Sequence, residues 1–306
     1  MDQPISSAAR IISLGSGKGG VGKSLISANL AVQLTMMKKK VIVIDADFGG
    51  SNLHTYLGLS APTMSLSNIF TGTAKSFSEI LIPTQFENLQ FISADSDFIS
   101  ITNFKYTQKM KILNEIYNLK ADYIIIDLAA GSSYNVIDFF LASYFPIVIT
   151  TPELASFENA YTFIKNSLFR YILSELPKNN VWYNTILEYF IFPARYNTIT
   201  IEKILEKIQA INLDLYQRVR TKLESFTPNL VLNRISEKNE LRLGEKMKLI
   251  VQKYLSVDLH FLAYFEEDRL LRQKMNYERA ISEEFPITPF SNRTRELAAA
   301  IVRMES

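Results

Sequence analysis

The stretch GSGKGGVGKS, Gly15 to Ser24, sets two lysines five positions apart in a loop that is otherwise nearly all glycine. Gly17, Gly22, Lys23 and Ser24 fit the spacing G-x-x-x-x-G-K-S, and that pattern has a specific chemistry. Glycines such as Gly19 and Gly20, between Lys18 and Val21, let successive backbone N–H groups curl round phosphate oxygens without Cβ clashes. A helix starting at the end of the loop adds the positive end of its dipole. Lys23 is placed to neutralise the outer phosphates of a nucleotide and the Ser24 hydroxyl to ligate Mg²⁺. Two carboxylates two residues apart, Asp45 and Asp47, close the apolar run VIVI. They could help hold the metal indirectly and orient a water at the terminal phosphate, although a turn or helix-cap role is common for a lone aspartate. Asp127 closes a third run, YIII, and suits a role reaching Mg²⁺ through a bound water.

These side chains need elements to carry them. RIISLGS is a short β-branched apolar run that stops at glycine, as a buried parallel strand does. Leu25, Ile26, Leu30 and Leu34 follow at helical spacing, so the loop lies between a strand and a helix, the setting a phosphate loop requires. Apolar β-rich runs recur near 11–14, 41–44, 89–92, 123–126, 145–149, 230–232 and 259–264, with helical stretches between them. The alternation predicts an α/β chain with a mostly parallel sheet and helices on both faces. Asp45, Asp47 and Asp127 then fall at the carboxyl ends of strands, where open α/β sheets bind ligands. The run Met37 to Lys40 reads as a solvated helix end, and His54 and His260 lack metal-ligand neighbours at suitable spacing.

Composition narrows the classes. With 306 residues and 47% hydrophobic content, the chain can bury the core of one large domain, or of one domain carrying an elaboration. A net charge of only +2 gives no overall footprint for nucleic acid. Cysteine is absent, which excludes disulfides, iron–sulfur ligation and thiolate zinc sites. The first residues show no basic segment followed by a long apolar stretch, so no secretion signal is read there. The most apolar run, Val136 to Thr151, is interrupted by Asp138 and Pro146 and is too broken for a membrane span. A cytoplasmic protein is the expectation.

KGGVGKS resembles the deviant phosphate loop of the MinD/ParA family of ATPases, a SIMIBI-class branch of the P-loop NTPases. The resemblance implies a three-layer P-loop NTPase fold, ATP and Mg²⁺ as ligands, and a homodimer formed on ATP. It assigns Lys18 the signature role of crossing the dimer interface to the partner's phosphates, beside catalytic Lys23 and Asp47. Asp45, Asp47, Gly49 and Asn52 match the family's switch I pattern, in which Asp47 positions the attacking water. Asp127 with Gly131 matches switch II, although Leu128, Ala129 and Ala130 stand where the family usually carries a proline; Gly131 is expected to offer its N–H to the terminal phosphate. Thr151 to Ser156 match a T-P-E-x-x-S pattern that puts Glu153 near the dimer-facing side, and VLNR supplies Asn233 and Arg234. The Asn233 amide is expected to read adenine, with a plain strand-end turn asparagine as the alternative. Glu266 replaces the proline of a last motif, while Asp268 remains.

DADFGGSNLHTYLG, TPELASFENAY and FPITPFS resemble the MinD/FlhG branch most, which implies a slowly hydrolysing switch in spatial regulation, of flagellar number and placement or of the division site, working with a regulatory protein partner. The alternative is a ParA-type segregation ATPase that binds DNA; its candidate basic stretches, RLLRQKMNYER and SNRTR, have acidic residues interspersed or nearby. An amide-synthetase reading finds no second substrate motif. A membrane anchor at the C-terminus has little support, because the apolar side of ELAAAIVRMES is mostly alanine, with Leu297, Ile301 and Met304 the larger members.

Residues 169–228 depart from the resemblance. Ile201, Ile204, Leu205, Ile208 and Ile211 form one helical stripe and Leu215, Val219 and Leu223 another, so the segment is expected to be an inserted helical subdomain. VWYNTILEYFIFPARY within it concentrates Trp182, Tyr183, Tyr189, Phe190, Phe192 and Tyr196. Either it caps the sheet edge, or it docks a protein partner or extends the dimer interface.

Overall fold

The seven apolar runs all become strands of one sheet. In the computed structural model, which describes residues 9–94, 106–176, 183–184, 200–268 and 287–304, they are β1 (Arg10–Ser16), β2 (Val41–Ala46), β4 (Leu89–Ile92), β5 (Tyr123–Ala130), β6 (Phe145–Thr150), β7 (Asn229–Ile235) and β8 (His260–Glu266). All seven run parallel, in the spatial order β4-β2-β5-β1-β6-β7-β8. An eighth, β3 (Ile82–Pro83), pairs antiparallel with β4 at the edge. Sequence reasoning misses β3 because two residues, one a proline, carry no periodicity.

Alternation along each strand divides the core in two. Ile12, Leu14, Val43, Ile125 and Ile147 face a layer formed by α1 (Lys23–Met36) and α10 (Pro289–Arg303). Ile11, Ile42, Ile44, Ile124, Ile126 and Val148 face the other layer. That layer holds α4 (Tyr106–Asn118), α5 (Tyr134–Leu141), α6 (Leu154–Leu173) and α9 (Arg242–Leu255). Burial on both faces is why these strands read as unbroken apolar runs. Two short helices, α2 (Leu53–Tyr56) and α3 (Leu66–Thr71), follow β2.

One polar cluster ties three helices of the second layer together. Asp138 on α5 accepts two hydrogen bonds from Arg170 on α6, at 2.8 and 3.0 Å, and a third from Lys109 on α4. Burial acts to raise the Asp138 carboxyl, but the hydrogen bonds and charges of Arg170 and Lys109 outweigh it and hold the group below its ordinary range.

The stripes expected in 201–223 are present in α7 (Ile201–Ile211) and α8 (Leu213–Ser225). Asn212 ends the first and caps the second, its Oδ1 accepting from the Leu215 N–H at 2.9 Å. Ile204, Leu205, Ile208, Val219 and Leu223 are buried in the same apolar cluster as Leu232 of β7 and Met247 of α9, so these helices extend the main core. The side chain of Ile211, the aromatic residues Trp182, Tyr189, Phe190, Phe192 and Tyr196, and the basic stretch 269–279 lie outside the described residues. On α10, Leu297 and Ile301 are buried as expected for packing on the sheet, whereas Met304 is 55% exposed. Among the described residues no helix is long and apolar enough to cross a membrane.

Candidate nucleotide-binding site

The carboxyl ends of the parallel strands define one rim of the sheet, and the loop Gly17 to Gly22 connects β1 to α1 there. Two glycines are required by backbone conformation, Gly20 at φ +76° and Gly22 at φ +95°, the latter capping α1. A third, Gly17, is required by space: a Cβ there would lie 2.1 Å from the carbonyl oxygen of Asn159 on α6. Unlike α5, α8 and α10, whose first turns are capped by Ser133, Asn212 and Thr288, α1 has no side-chain cap and no acidic residue in its first turn. Its N-terminal N–H groups are therefore left to an anion.

A cleft of about 450 Å³ opens over this helix end. Gly19, Gly20, Gly22, Lys23 and Ser24 form its phosphate end, with Asp47 and Asn52 from the loop after β2. Asn233, Arg234, Glu266, Glu267 and Asp268, from the ends of β7 and β8, line it as well. Leu25, Gly50, Ala130, Tyr56 and Phe290 complete the lining, and sequence reasoning missed Tyr56 and Phe290; Tyr56 lies four residues after Asn52, the only hint available. Gly17, Lys18, Val21, Asp127, Gly131 and Glu153 lie behind or beside the cleft rather than in its lining.

Beneath Ser24 two carboxylates share the floor. Asp45 and Asp127 are directly paired across β2 and β5, and both are buried. Asp127 accepts from Ser27 Oγ at 3.0 Å and from Ser24, with the Lys23 charge nearby. Burial, reinforced by Asp45, nevertheless pushes it up to about 7. Asp45 is also raised by burial, against hydrogen bonds from Ser51 Oγ at 2.6 Å and from the N–H groups of Asp47 and Leu53. Two crowded, desolvated carboxylates beside a hydroxyl suit a small divalent cation that keeps part of its water shell, so Ser24 and Asp127, with Asp45 beside them, fit Mg²⁺, while Asp47, also expected to hold it, lies in the cleft lining outside that pair.

The two lysines diverge. Lys23 is 8% exposed, and its ammonium donates to Ser16 Oγ at 3.1 Å, under the loop. Lys18 points away from the cleft and meets Glu153 Oε2 at 2.7 Å, with both side chains largely in solvent. That hydrogen bond and charge lower the Glu153 carboxyl, with a smaller contribution from Arg234.

Two expectations meet a different arrangement. The Gly131 N–H, expected to face a phosphate, donates instead to the Ser16 carbonyl of β1 at 2.9 Å, with Gly131 at φ +92° just after β5. The Asn233 amide, expected to read a base, is engaged at both ends. Its Nδ2 donates to the Val21 carbonyl at 2.7 Å, and its Oδ1 accepts from the Arg234 N–H at 3.0 Å. Arg234 sits at φ +60°, a left-handed backbone that turns the strand end back so that Asn233 clasps the phosphate loop.

A ParA family model, described as NUBPL iron-transfer P-loop NTPase, matches residues 7–167. The septum site-determining protein MinD of Buchnera aphidicola is 32% identical over 198 residues, 63% of this chain and 70% of that protein. The chain belongs to the ParA/MinD family of P-loop ATPases. The antiactivator FleN of Pseudomonas aeruginosa is 27% identical over 157 residues, 51% of this chain and 55% of its own, and several further relatives are likewise matched over about half their length. The same fold is seen in MinD of Pyrococcus horikoshii, solved with Mg-ADP, at a TM-score of 0.64 and 21% identity over 97% of this chain and 98% of that one. ParA/MinD ATPases use ATP and Mg²⁺, and the loop and carboxylate floor described above fit both. The iron transfer in the family model's description needs thiolates, which this chain lacks.

Proposed function

We propose that the chain is a MinD/FlhG-like switch that binds ATP, dimerises on it, hydrolyses it slowly and so regulates position in the cell through a protein partner. The observation that carries this is the division of labour between the lysines: one sealed under the loop, the other held at the rim by an exposed carboxylate. Lys23 and the loop N–H groups bind the phosphates, and Ser24 with Asp127 holds the metal, whose chemistry is to neutralise charge on the outer phosphates. The Asp47 carboxylate, now accepting from the Gly49 N–H at 3.1 Å, orients the attacking water. Lys18 leaves Glu153 and enters the partner's site. Gly131 exchanges the Ser16 carbonyl for a phosphate oxygen. The likeness to a septum site-determining protein and to a flagellar antiactivator supports a role in placing the division site or the flagella.

On the ParA-type alternative, α10 should offer a basic face. Arg293 there is committed to Glu266 at 3.2 Å, to Glu296 at 2.8 Å and to the Tyr264 ring, which argues against it. The test of the main reading is labelled-ATP binding by Lys23→Ala, which should fall at least about tenfold, as for loss of one charge-assisted contact. Retention of parental binding sinks the site assignment, and tight salt-dependent DNA binding with ATP favours the ParA type instead.

A further inference from the structure

Two neighbouring side chains in the turn after β2 part company. Asp47 lines the nucleotide cleft, whereas Phe48 is absent from that lining and packs against the apolar cluster of the α4, α5 and α6 layer. Its ring meets that of Phe139 on α5, with centroids 6.5 Å apart and the planes tilted by 34°, within the range at which aromatic pairs attract. Phe139 is buried, and the adjacent Asp138 ties α5 to α4 and α6. Phe48 therefore rests on a fixed support.

The turn's own hydrogen bonds do not aim it. The Gly49 N–H donates to Asp47 Oδ1 at 3.1 Å and the Gly50 N–H to the Asp47 carbonyl at 3.3 Å, so both bonds lie inside the turn and travel with it. Orientation has to come from contacts that leave the turn. Asp45 supplies them on the amino side, where its Oδ1 accepts from the Asp47 N–H at 3.0 Å, and at the far end, where its Oδ2 accepts from Ser51 and Leu53. Between Asp47 and Ser51 the sequence is Phe48-Gly49-Gly50, so the ring is the one sizeable side chain that can anchor the stretch just after the carboxylate. An anchor before Asp47 and another directly after it fix a direction, where the first alone leaves a pivot. The support is also well placed, because α5 starts three residues after Gly131, at Tyr134. The water-orienting turn is thus seated on the helix that follows switch II.

We propose that Phe48 is a positioning residue for hydrolysis: seated on Phe139, it aims the Asp47 carboxylate at the attacking water. The inference rests on the reading of Asp47 as the group that orients that water. A displacement of about 1 Å at such a group can cost on the order of a hundredfold in rate, while binding by the phosphate loop is untouched. Steady-state hydrolysis and labelled-ATP binding by the full chain test it. Phe48→Ala should lower kcat at least about tenfold with ATP affinity within about twofold of the parent, and Phe48→Leu should recover most of that loss. Combined with Asp47→Ala, Phe48→Ala should add almost nothing, because a residue that acts through another has no effect once that other is gone. A side chain that only stabilises the fold would lower melting temperature and ATP binding together and leave kcat unmoved. Should Phe48→Ala fail to fold, Phe139→Leu, which thins the seat from the other side, should lower kcat about threefold at parental affinity. Parental kcat in the folded Phe48→Ala protein, or in Phe139→Leu where that variant carries the test, overturns the role of Phe48 and leaves Asp47 as read. A further full loss in the double variant does the same. Parental kcat in Asp47→Ala overturns both.

Discussion

Asp127 couples the site to pH. Its carboxyl titrates near 7 in the folded chain against 3.8 in an ordinary carboxylate, so between those values the native state holds a proton that the unfolded state has lost. Its contribution to stability is fully present below 3.8 and is lost as pH rises through about 7. The ligand-free protein should therefore melt at lower temperature at about pH 8 than at about pH 5, and Asp127→Asn should flatten that fall; a scan with the same slope in both proteins refutes the assignment. A bound divalent cation favours the ionised form, so stabilisation by Mg-nucleotide should grow over the same window. Lys18 offers the contrasting case. Its pair with Glu153 is exposed, and exposed pairs add little to stability. Lys18→Ala should leave the melting temperature nearly unchanged while hydrolysis and ATP-dependent association are lost. A large drop in melting temperature would instead give the pair a structural role.

At the scale of elements, Asp138 holds α4, α5 and α6 together. Lys109 is 7% exposed at its side chain, so Asp138→Ala removes a carboxylate that faces a buried cation. We expect a loss of about 3–5 kcal/mol in chemical denaturation, much of it recovered when Lys109→Met is added. If the single variant is as stable as the parent, the cluster does not secure the helices. The seven parallel strands, α1, α7 and α8 were legible in the sequence because their burial is periodic: two-sided for strands, one-sided for helices. The phosphate loop was legible because local backbone demands fix its glycines, Gly20 and Gly22 among them. Long-range contacts were not legible. Asn233 clasps Val21 across 212 residues of sequence, and no local pattern announces that its amide is already engaged. The Asp138 cluster escaped for the same reason, since each partner alone looks like an ordinary helix-surface charge.

For the whole molecule, the proposed dimer is the main claim to test. Asp47→Ala should retain ATP binding, lose hydrolysis and accumulate as a dimer in light scattering, because the bound nucleotide persists between the subunits. Monomers in saturating ATP would count decisively against an ATP-built dimer. We regard 169–228 as an insertion whose helices α7 and α8 are fused to the main core rather than folded separately. Burial of Leu205 and Ile208 against that core argues that removing the segment would expose it. Leu205→Ala should accordingly cost about 2–5 kcal/mol of global stability, measured as one cooperative transition. Two separate transitions would mean that the helices form an independent unit.

The hydrogen bond from Gly131 to Ser16 bears on how such a cycle restarts. On the proposed reading, ATP displaces an internal partner from that N–H, whereas ADP, lacking the terminal phosphate, leaves the internal bond intact. The two nucleotides then differ by one exchanged contact at a fixed backbone position, and the protein has a ready-made resting partner to return to once phosphate departs. On that reading, product discharge is assisted by the chain itself.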